Sequence, residues 1–227
     1  MDLAAHYQSL WENAEQHFAA ADFEVDDLID SPHDTRRGIT LLARPQEPVK
    51  ENIQRFLQDM AQLEPDLYYY PPTDFHLTLL TIISCYPGFT LDQVQPQAYV
   101  DVVEQALRPI KKFKVVFMGV SASPACIMVQ GFPIGDELGR LREKVRKLFQ
   151  ASVLQQSMDQ RYILQTAHSS VIRLRKPPAN PQAFLNKLRE YRRQVFGSTE
   201  IRQVELVYHD WYQRRANTQT LATFDLG

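Results

Sequence analysis

The chain has 227 residues, of which 44% are hydrophobic and 23% are charged, an ordinary balance for a globular protein. No apolar run approaches the ~20 residues that a membrane-spanning helix needs, and the first residues do not resemble a signal peptide. We therefore expect a cytoplasmic protein with no membrane partner. The only cysteines, Cys85 and Cys126, are too few for a disulfide framework and fit the same reducing compartment.

The net charge of −2 conceals an uneven distribution along the chain. Residues 1–107 carry 5 Lys/Arg and 18 Asp/Glu (net −13), whereas residues 108–227 carry 20 and 9 (net +11). This asymmetry indicates either a basic surface for an anionic ligand or two parts that attract each other and expose solvated helix faces. With a pI near 6.3, the chain is not expected to bind long nucleic acids in general, but a small anion fits the second half.

Hydrophobic periodicity predicts helices and strands in alternation. Helices are predicted over residues 2–21, 48–63, 91–107 (beginning at Pro96), 134–148 and 184–191, and strands over 38–43, 75–83, 113–120, 125–132, 162–174, 201–208 and 218–224. The acidic stretch 22–34 is predicted to be a surface connection or a flexible arm. The order of elements forms a crude internal repeat, in which each half is built around one histidine-bearing strand.

Two copies of a short motif, 92 residues apart, lie on those strands. His76-Leu77-Thr78-Leu79 and His168-Ser169-Ser170-Val171 each contain a histidine, any residue, a hydroxyl residue and an apolar residue. Residues i and i+2 of a strand point to the same face, so each copy places an imidazole beside a hydroxyl. Two such pairs across a cleft provide two proton-transfer groups and two hydrogen-bond donors, which can break a phosphodiester without a metal. The alternative is two histidines satisfied within the core.

A third histidine has a hydroxyl at the same spacing but a different context. His33-Asp34-Thr35-Arg36 lies in a polar stretch and ends in a charge, so we do not include it.

These two motifs make the chain resemble the two-histidine (2H) phosphoesterase superfamily, which includes the bacterial RNA 2′,5′-ligase/cyclic phosphodiesterases (LigT-like proteins). The segment 41–45 and the helix after it also resemble the opening unit of that family, and the resemblance extends from about Arg37 to the C-terminus. It implies an α+β, two-lobed, pseudo-symmetric fold whose antiparallel sheets line a central cleft with helices outside. We accordingly expect an N-terminal helix and acidic connection over residues 1–35, followed by the two-lobed domain over residues 36–227.

The resemblance also implies roles for individual residues. His76 and His168 are expected to be the catalytic acid and base, in an order that the sequence leaves open, and Thr78 and Ser170 are expected to bind the phosphate. Many members of the family carry an arginine five residues after the second histidine, where this chain has Arg173. Five is an odd spacing, so Arg173 reaches the same face as His168 only if the strand has a bulge or ends there.

No cofactor or metal is implied, and the expected partner is a nucleotide or an RNA terminus that carries a phosphodiester. Candidate substrates are 2′,3′-cyclic nucleotides, RNA ends with a cyclic phosphate, 2′,5′-linked oligonucleotides and cyclic phosphates of ADP-ribose. The sequence predicts neither protein partners nor which of the 2′- and 3′-phosphates is the product.

Two rival functions remain open. Asp74, two residues before His76, would complete a two-histidine, one-carboxylate iron site with His168. Alternatively, the same fold would bind a terminal phosphate of RNA or of a nucleotide without turning it over. Aromatic and histidine side chains near the two motifs either border the cleft or only pack: Tyr68, Tyr69, Tyr70, Tyr208, His209, Trp211 and Tyr212.

Overall fold

A computed structural model describes residues 2–160 and 163–227. Within these ranges the α-helices are Leu3–Ala19 (α1), Val49–Leu63 (α2), Pro96–Leu107 (α3), Glu137–Gln150 (α4) and Pro181–Glu190 (α5). The strands are Arg36–Ala43 (β1), Tyr68–Tyr69 (β2), Leu77–Pro87 (β3), Phe113–Ser123 (β4), Cys126–Pro133 (β5), Ser169–Arg173 (β6), Val195–Ile201 (β7), Gln203–Asp210 (β8) and Gln219–Asp225 (β9). All five predicted helices are confirmed, and α3 begins at Pro96 as expected, since proline is well suited to the first helical position.

The strands form two sheets in which neighbouring strands are antiparallel. The order is β3-β1-β8-β9 in the four-stranded sheet and β2-β6-β5-β4-β7 in the five-stranded sheet. Each motif strand thus belongs to a different sheet, β3 to the first and β6 to the second. The mixed α+β architecture with two antiparallel sheets agrees with the predicted fold class.

The helices pack on these sheets through the apolar stripes that predicted them. In α2 the buried residues Val49, Ile53, Phe56 and Met60 recur at spacings of three and four, as expected for a helix with one face in the core. In α1 the same spacing buries Tyr7, Trp11, Ala14 and Phe18. The N-terminal helix is therefore packed on the body of the protein, as its periodicity predicts.

The limits of both histidine strands differ from the prediction. His76 and His168 each stand one residue before the first residue of the strand, β3 and β6 respectively. The predicted strand over residues 162–174 contains only the five residues of β6, and residues 163–168 have no strand conformation. Its predicted start at Tyr162 lies outside the described residues. In the segment before β6, side chains rather than a neighbouring strand take backbone hydrogen bonds.

Two strands and one connection were not anticipated. Strands β2 and β7 are absent from the prediction, because β2 has only two residues and β7 contains Gly197 and polar side chains. The acidic stretch 22–34 is not a free arm: Ile29 is buried, and the backbone N–H of Asp26 donates to the carbonyl of Leu174 at 2.8 Å.

No helix of the described residues is both long and apolar enough to cross a membrane.

Candidate active site

The two motifs meet at one cavity of about 300 Å³. Its lining includes His76 and Thr78 from the first motif and His168 and Ser170 from the second, together with Arg173. The residues between and after them, such as Leu77 and Val171, are fully buried on the other side of their strands. The structure thus brings together all five residues that the sequence indicated.

A β-bulge in each motif strand decides which residues reach this cavity. In β3, Leu41 and Leu42 of β1 lie opposite Leu80 and Thr78, so Leu79 is an extra residue. Such an extra residue resets the alternation of the strand, and a side chain three positions after the hydroxyl then shares its face. Thr81 accordingly lines the cavity together with Thr78.

The second motif strand has its bulge at the equivalent residue. Ile127 and Met128 of β5 lie opposite Ile172 and Ser170, so Val171 is the extra residue. Ser170 and Arg173 therefore reach the same face, which supplies the irregularity that the odd spacing of Arg173 requires. In both halves the bulge falls on the apolar residue that ends the motif.

His76 is held by a backbone carbonyl. It is 7% exposed, and its Nδ1 lies 2.8 Å from the carbonyl oxygen of Asp74, which belongs to a short 3-10 turn over Pro72–Asp74. Because a carbonyl oxygen only accepts, Nδ1 carries a proton, and in the neutral ring Nε2 keeps a free lone pair. Burial lowers the pKa of His76 to about 3, although the hydrogen bond to Asp74 acts in the opposite direction. The free protein therefore presents His76 as a neutral base near pH 7.

His168 is held by a hydroxyl instead. Its Nδ1 lies 2.8 Å from Oγ1 of Thr166, and a threonine hydroxyl both donates and accepts. Nε2 of His168 is therefore able to carry a proton in the neutral ring as well as in the imidazolium. Burial lowers the pKa of His168 to about 4, and the positive charges of Arg142 and Arg173 contribute to the same shift.

Arg173 lines the cavity but is already engaged on its other side. Its Nε donates to the Tyr70 hydroxyl at 2.9 Å, and its Nη1 lies 3.4 Å from the Asp26 carboxylate. Its guanidinium carbon also lies 5.3 Å from the centre of the Tyr212 ring. Burial alone would lower the pKa of Arg173, but Tyr70 and Asp26 contribute to the opposite effect, and the pKa is raised. Arg173 is thus a permanent cation in a fixed position.

Several residues at the cavity lie outside the motifs. His209 is buried, with Nε2 2.8 Å from Oγ1 of Thr40 and Nδ1 2.6 Å from its neighbouring carbonyl at Asp210. Trp211 and Tyr212 also line the cavity, whereas the Tyr208 hydroxyl donates to the carbonyl of Phe89. In the sequence, only the clustering of aromatic and histidine residues at the end of β8 and just after it indicates this wall.

Gln213 was not predicted as a site residue. Its backbone has φ 56°, in the left-handed region that favours glycine, and its Nε2 donates to Oγ1 of Thr78 at 3.4 Å. Among the described residues its side-chain oxygen, Oε1, is buried without a hydrogen-bond partner. Strain and an unpaired acceptor beside Thr78 are typical of a functional position, but no sequence signal marks this glutamine.

The geometry does not favour the rival iron site. The Asp74 carboxylate accepts hydrogen bonds from Oγ1 of Thr73 at 2.9 Å and from the backbone N–H of Arg215 at 3.1 Å. Within residues 2–160 and 163–227, no group of three or more His, Cys, Asp or Glu side chains is arranged to hold a metal ion. The Asp74 carboxylate therefore holds the backbone of Arg215, and it does not join His76 and His168 as a third ligand.

Solved structures with the same fold were found by comparison. TT0787 of Thermus thermophilus has a TM-score of 0.58 at 15% identity, covering 83% of this chain and 97% of its own. E. coli LigT complexed with 3′-AMP has a TM-score of 0.59 at 12% identity, with coverages of 84% and 98%. A structure described as a phosphoesterase has a TM-score of 0.54 at 13% identity, with coverages of 84% and 98%. No protein-family model and no curated protein matches the sequence.

These similarities show the fold. The chain has the LigT-like fold of the 2H phosphoesterases, as the two sequence motifs predict.

Proposed function

We propose that this protein is a metal-independent phosphodiesterase that hydrolyses a 2′,3′-cyclic phosphate or a related phosphodiester of a nucleotide or RNA. The observation that carries the proposal is the meeting of His76, Thr78, His168 and Ser170 at one cavity. Each imidazole is fixed through Nδ1, so the other ring nitrogen is left for chemistry. A pure binding module has no need of two such groups.

The two hydrogen bonds at Nδ1 support different roles for the histidines. His76, whose Nδ1 proton is fixed by the Asp74 carbonyl, is the general base: its Nε2 removes a proton from the attacking water. His168 is the general acid, because the Thr166 hydroxyl is compatible with a proton on Nε2. As the water oxygen bonds to phosphorus, the bond to one ribose oxygen breaks, and His168 donates its proton to that oxygen. The product is a phosphomonoester, and proton exchange with solvent restores both histidines.

The hydroxyls of Thr78 and Ser170 donate to the non-bridging phosphate oxygens, on which negative charge is held in the transition state. Gln213 supports this orientation, because Oγ1 of Thr78 accepts from its amide and keeps its own proton for the phosphate. Arg173 adds a fixed positive charge on the same wall. E. coli LigT has been solved in complex with 3′-AMP, ATP, phosphate or NADP+, so a protein with this fold binds nucleotides and phosphate.

The test is turnover of a 2′,3′-cyclic nucleotide in the presence of a chelator, followed by 31P NMR. We expect the cyclic phosphate signal to be replaced by that of a 2′- or 3′-phosphomonoester. Loss of activity on chelation would contradict the metal-independent mechanism. Binding of the cyclic nucleotide and of its product without conversion would instead identify a binding module.

A further inference from the structure

The segment that carries His168 into the cavity belongs to neither sheet. Thr166 and Ala167 are buried, with 6% and 0% exposure, but residues 163–168 have no strand partner. Buried backbone N–H and C=O groups require partners, and in this segment side chains supply several of them. The position of His168 therefore depends on the side chains that bind this segment.

Arg142 of α4 is one of them. Its side chain is buried, and its Nη2 donates to the carbonyl of Thr166 at 2.6 Å and its Nη1 to the carbonyl of Gln165 at 3.2 Å. The same guanidinium reaches the first motif, where Nε donates to the carbonyl of Leu79 at 2.7 Å and Nη2 to that of Thr78 at 3.5 Å. A rigid planar fork thus connects the backbone of the first motif to the segment that precedes the second motif.

Tyr7 of α1 binds the next residue of the segment. Tyr7 is 1% exposed, and its hydroxyl accepts hydrogen bonds from the backbone N–H of Ala167 at 3.0 Å and from that of Gly131 at 3.3 Å. It also donates to the carbonyl of Gly131 at 3.2 Å. The N-terminal helix, which lies outside the part of the chain that resembles the family, therefore reaches the residue next to His168.

Gly131 allows the segment to lie directly against the backbone of β5. A Cβ at this position of β5 would lie 1.9 Å from the carbonyl oxygen of Ala167. The segment thus lies directly against the backbone of the strand, and the Tyr7 hydroxyl bonds both backbones at this point. Glycine is required here for the close approach of two backbones, not for an unusual turn.

Given the proposed phosphodiesterase function, we propose that Tyr7 and Arg142 are positioning residues that place His168 for proton transfer by holding the backbone of residues 165–167. Neither residue lines the cavity. Arg142 sets the distance between the two motifs, and Tyr7 fixes the residue before the imidazole. An error of about 1 Å in such a group lowers the rate by as much as ~10²-fold.

The first variant is Tyr7→Phe, which removes only the hydroxyl and keeps the ring against Phe132. We expect kcat to fall about tenfold with KM within about twofold, because the binding groups are unchanged. The matched control is Tyr99→Phe. Tyr99 is also 1% exposed and donates to a backbone carbonyl, that of Gln155 at 2.6 Å. Similar urea midpoints of the two variants, with kcat lowered only in Tyr7→Phe, would separate positioning from stability.

The second pair of variants is Arg142→Lys and Arg142→Ala. Lysine keeps the charge but lacks the fork, so we expect kcat to fall by ~10²-fold in both. Millimolar guanidinium should restore part of the activity of Arg142→Ala and leave the wild type, Tyr7→Phe and Arg142→Lys unchanged. Full activity of Arg142→Lys, or equal effects of Tyr7→Phe and Tyr99→Phe, would overturn the proposal.

A measurement without substrate separates this proposal from the proposed function. The 15N resonances of His168 report its tautomer and environment, and we expect them to shift in Tyr7→Phe and Arg142→Lys while those of His209 stay in place. If the wild type does not turn over a cyclic phosphate but these shifts occur, the proposed function fails and the positioning of His168 stands. Unchanged His168 resonances in both variants would overturn the positioning.

Discussion

The two histidine motifs have the same backbone but different support. Each begins with a histidine just before a strand and continues to a hydroxyl residue, and each ends in a bulge at an apolar residue, Leu79 or Val171. His76, however, is bound to a carbonyl of its own 3-10 turn. His168 is bound to a hydroxyl, and the segment before it is held by residues from two distant helices.

Under the proposed function, this difference would allow a nearly symmetric site to perform an asymmetric reaction. Acid–base hydrolysis needs one unprotonated and one protonated histidine at the same time. A carbonyl fixes one tautomer, whereas a hydroxyl permits either, so the proposed roles of the two histidines differ because their hydrogen-bond partners differ. The two halves also differ three residues after the hydroxyl residue, where the cavity is lined by the neutral Thr81 in one half and by Arg173 in the other.

Removal of each imidazole should have the largest effect. For His76→Ala and for His168→Ala we expect kcat/KM for a cyclic nucleotide to fall by ~10²–10⁴, the usual contribution of one general acid or base. The control is His33→Ala, which removes an exposed histidine that also has a hydroxyl two residues later. If kcat/KM falls in only one of the two variants, the motif histidines do not act as a pair and the proposed mechanism is refuted.

Removal of one hydroxyl should have the next largest effect. In Thr78→Val and in Ser170→Ala we expect kcat to fall by ~10²-fold, as for the loss of one donor to a transition-state oxyanion. Ser170→Thr, which makes the second motif identical to the first at this position, should keep most of the activity. Steady-state kinetics of the three variants test this; wild-type rates in both deletion variants would exclude the hydroxyls from transition-state binding.

Arg173→Thr tests the difference between the halves directly, because it gives the second motif the residue of the first. We expect KM to rise about tenfold with a smaller change in kcat, since a charged hydrogen bond contributes about 1.5–3 kcal/mol to binding. Arg173→Lys is the companion variant, which retains the positive charge that pairs with the Asp26 carboxylate. If KM is unchanged in Arg173→Thr, the arginine has only a structural role toward Asp26 and Tyr70.

The pH dependence should reveal the unequal roles. Burial lowers the pKa of His168 to about 4, so the protonated acid becomes scarcer in the free protein as the pH rises, and kcat/KM should fall. A bound phosphodiester anion raises the pKa of a nearby histidine, so the alkaline limb of kcat should lie at higher pH than that of kcat/KM. Rate profiles that extend from about pH 3 to about pH 8 measure both limbs, because the limb of kcat/KM lies near the lowered pKa of His168. Coincident limbs would mean that the acid does not sense the substrate charge.

The sequence was sufficient for the parts of the site that depend on short spacing. The two motifs, the five helices and the face shared by His76 and Thr78 follow from periodicities of 2 and 3.6 residues. The bulges at Leu79 and Val171 do not, because a bulge depends on the register of the neighbouring strand. The need for one was visible only in the odd spacing between His168 and Arg173.

The remaining contacts depend on tertiary structure. Tyr7 and Arg142 are read from the sequence as members of amphipathic helices, and only the fold brings them to Ala167 and Thr166. The acidic stretch 22–34 carries no sign that Asp26 pairs with Arg173 across 147 positions. Such long-range polar contacts leave no local period in the sequence, so no sequence pattern predicts them.

The strand order of the two sheets has a consequence for how the protein is made. The first motif strand, β3, pairs with β1, whose other edge is completed only by β8, and β2 from the first half pairs with β6 of the second. During synthesis, the edge of β1 that pairs with β8 therefore stays open until about 160 further residues have been made, and β2 waits about 100 residues for β6. Both sheets combine strands from the two halves of the chain, so neither sheet is complete until the second half has been made. This arrangement predicts slow, highly cooperative folding of a single unit, which is typical of proteins with many non-local contacts.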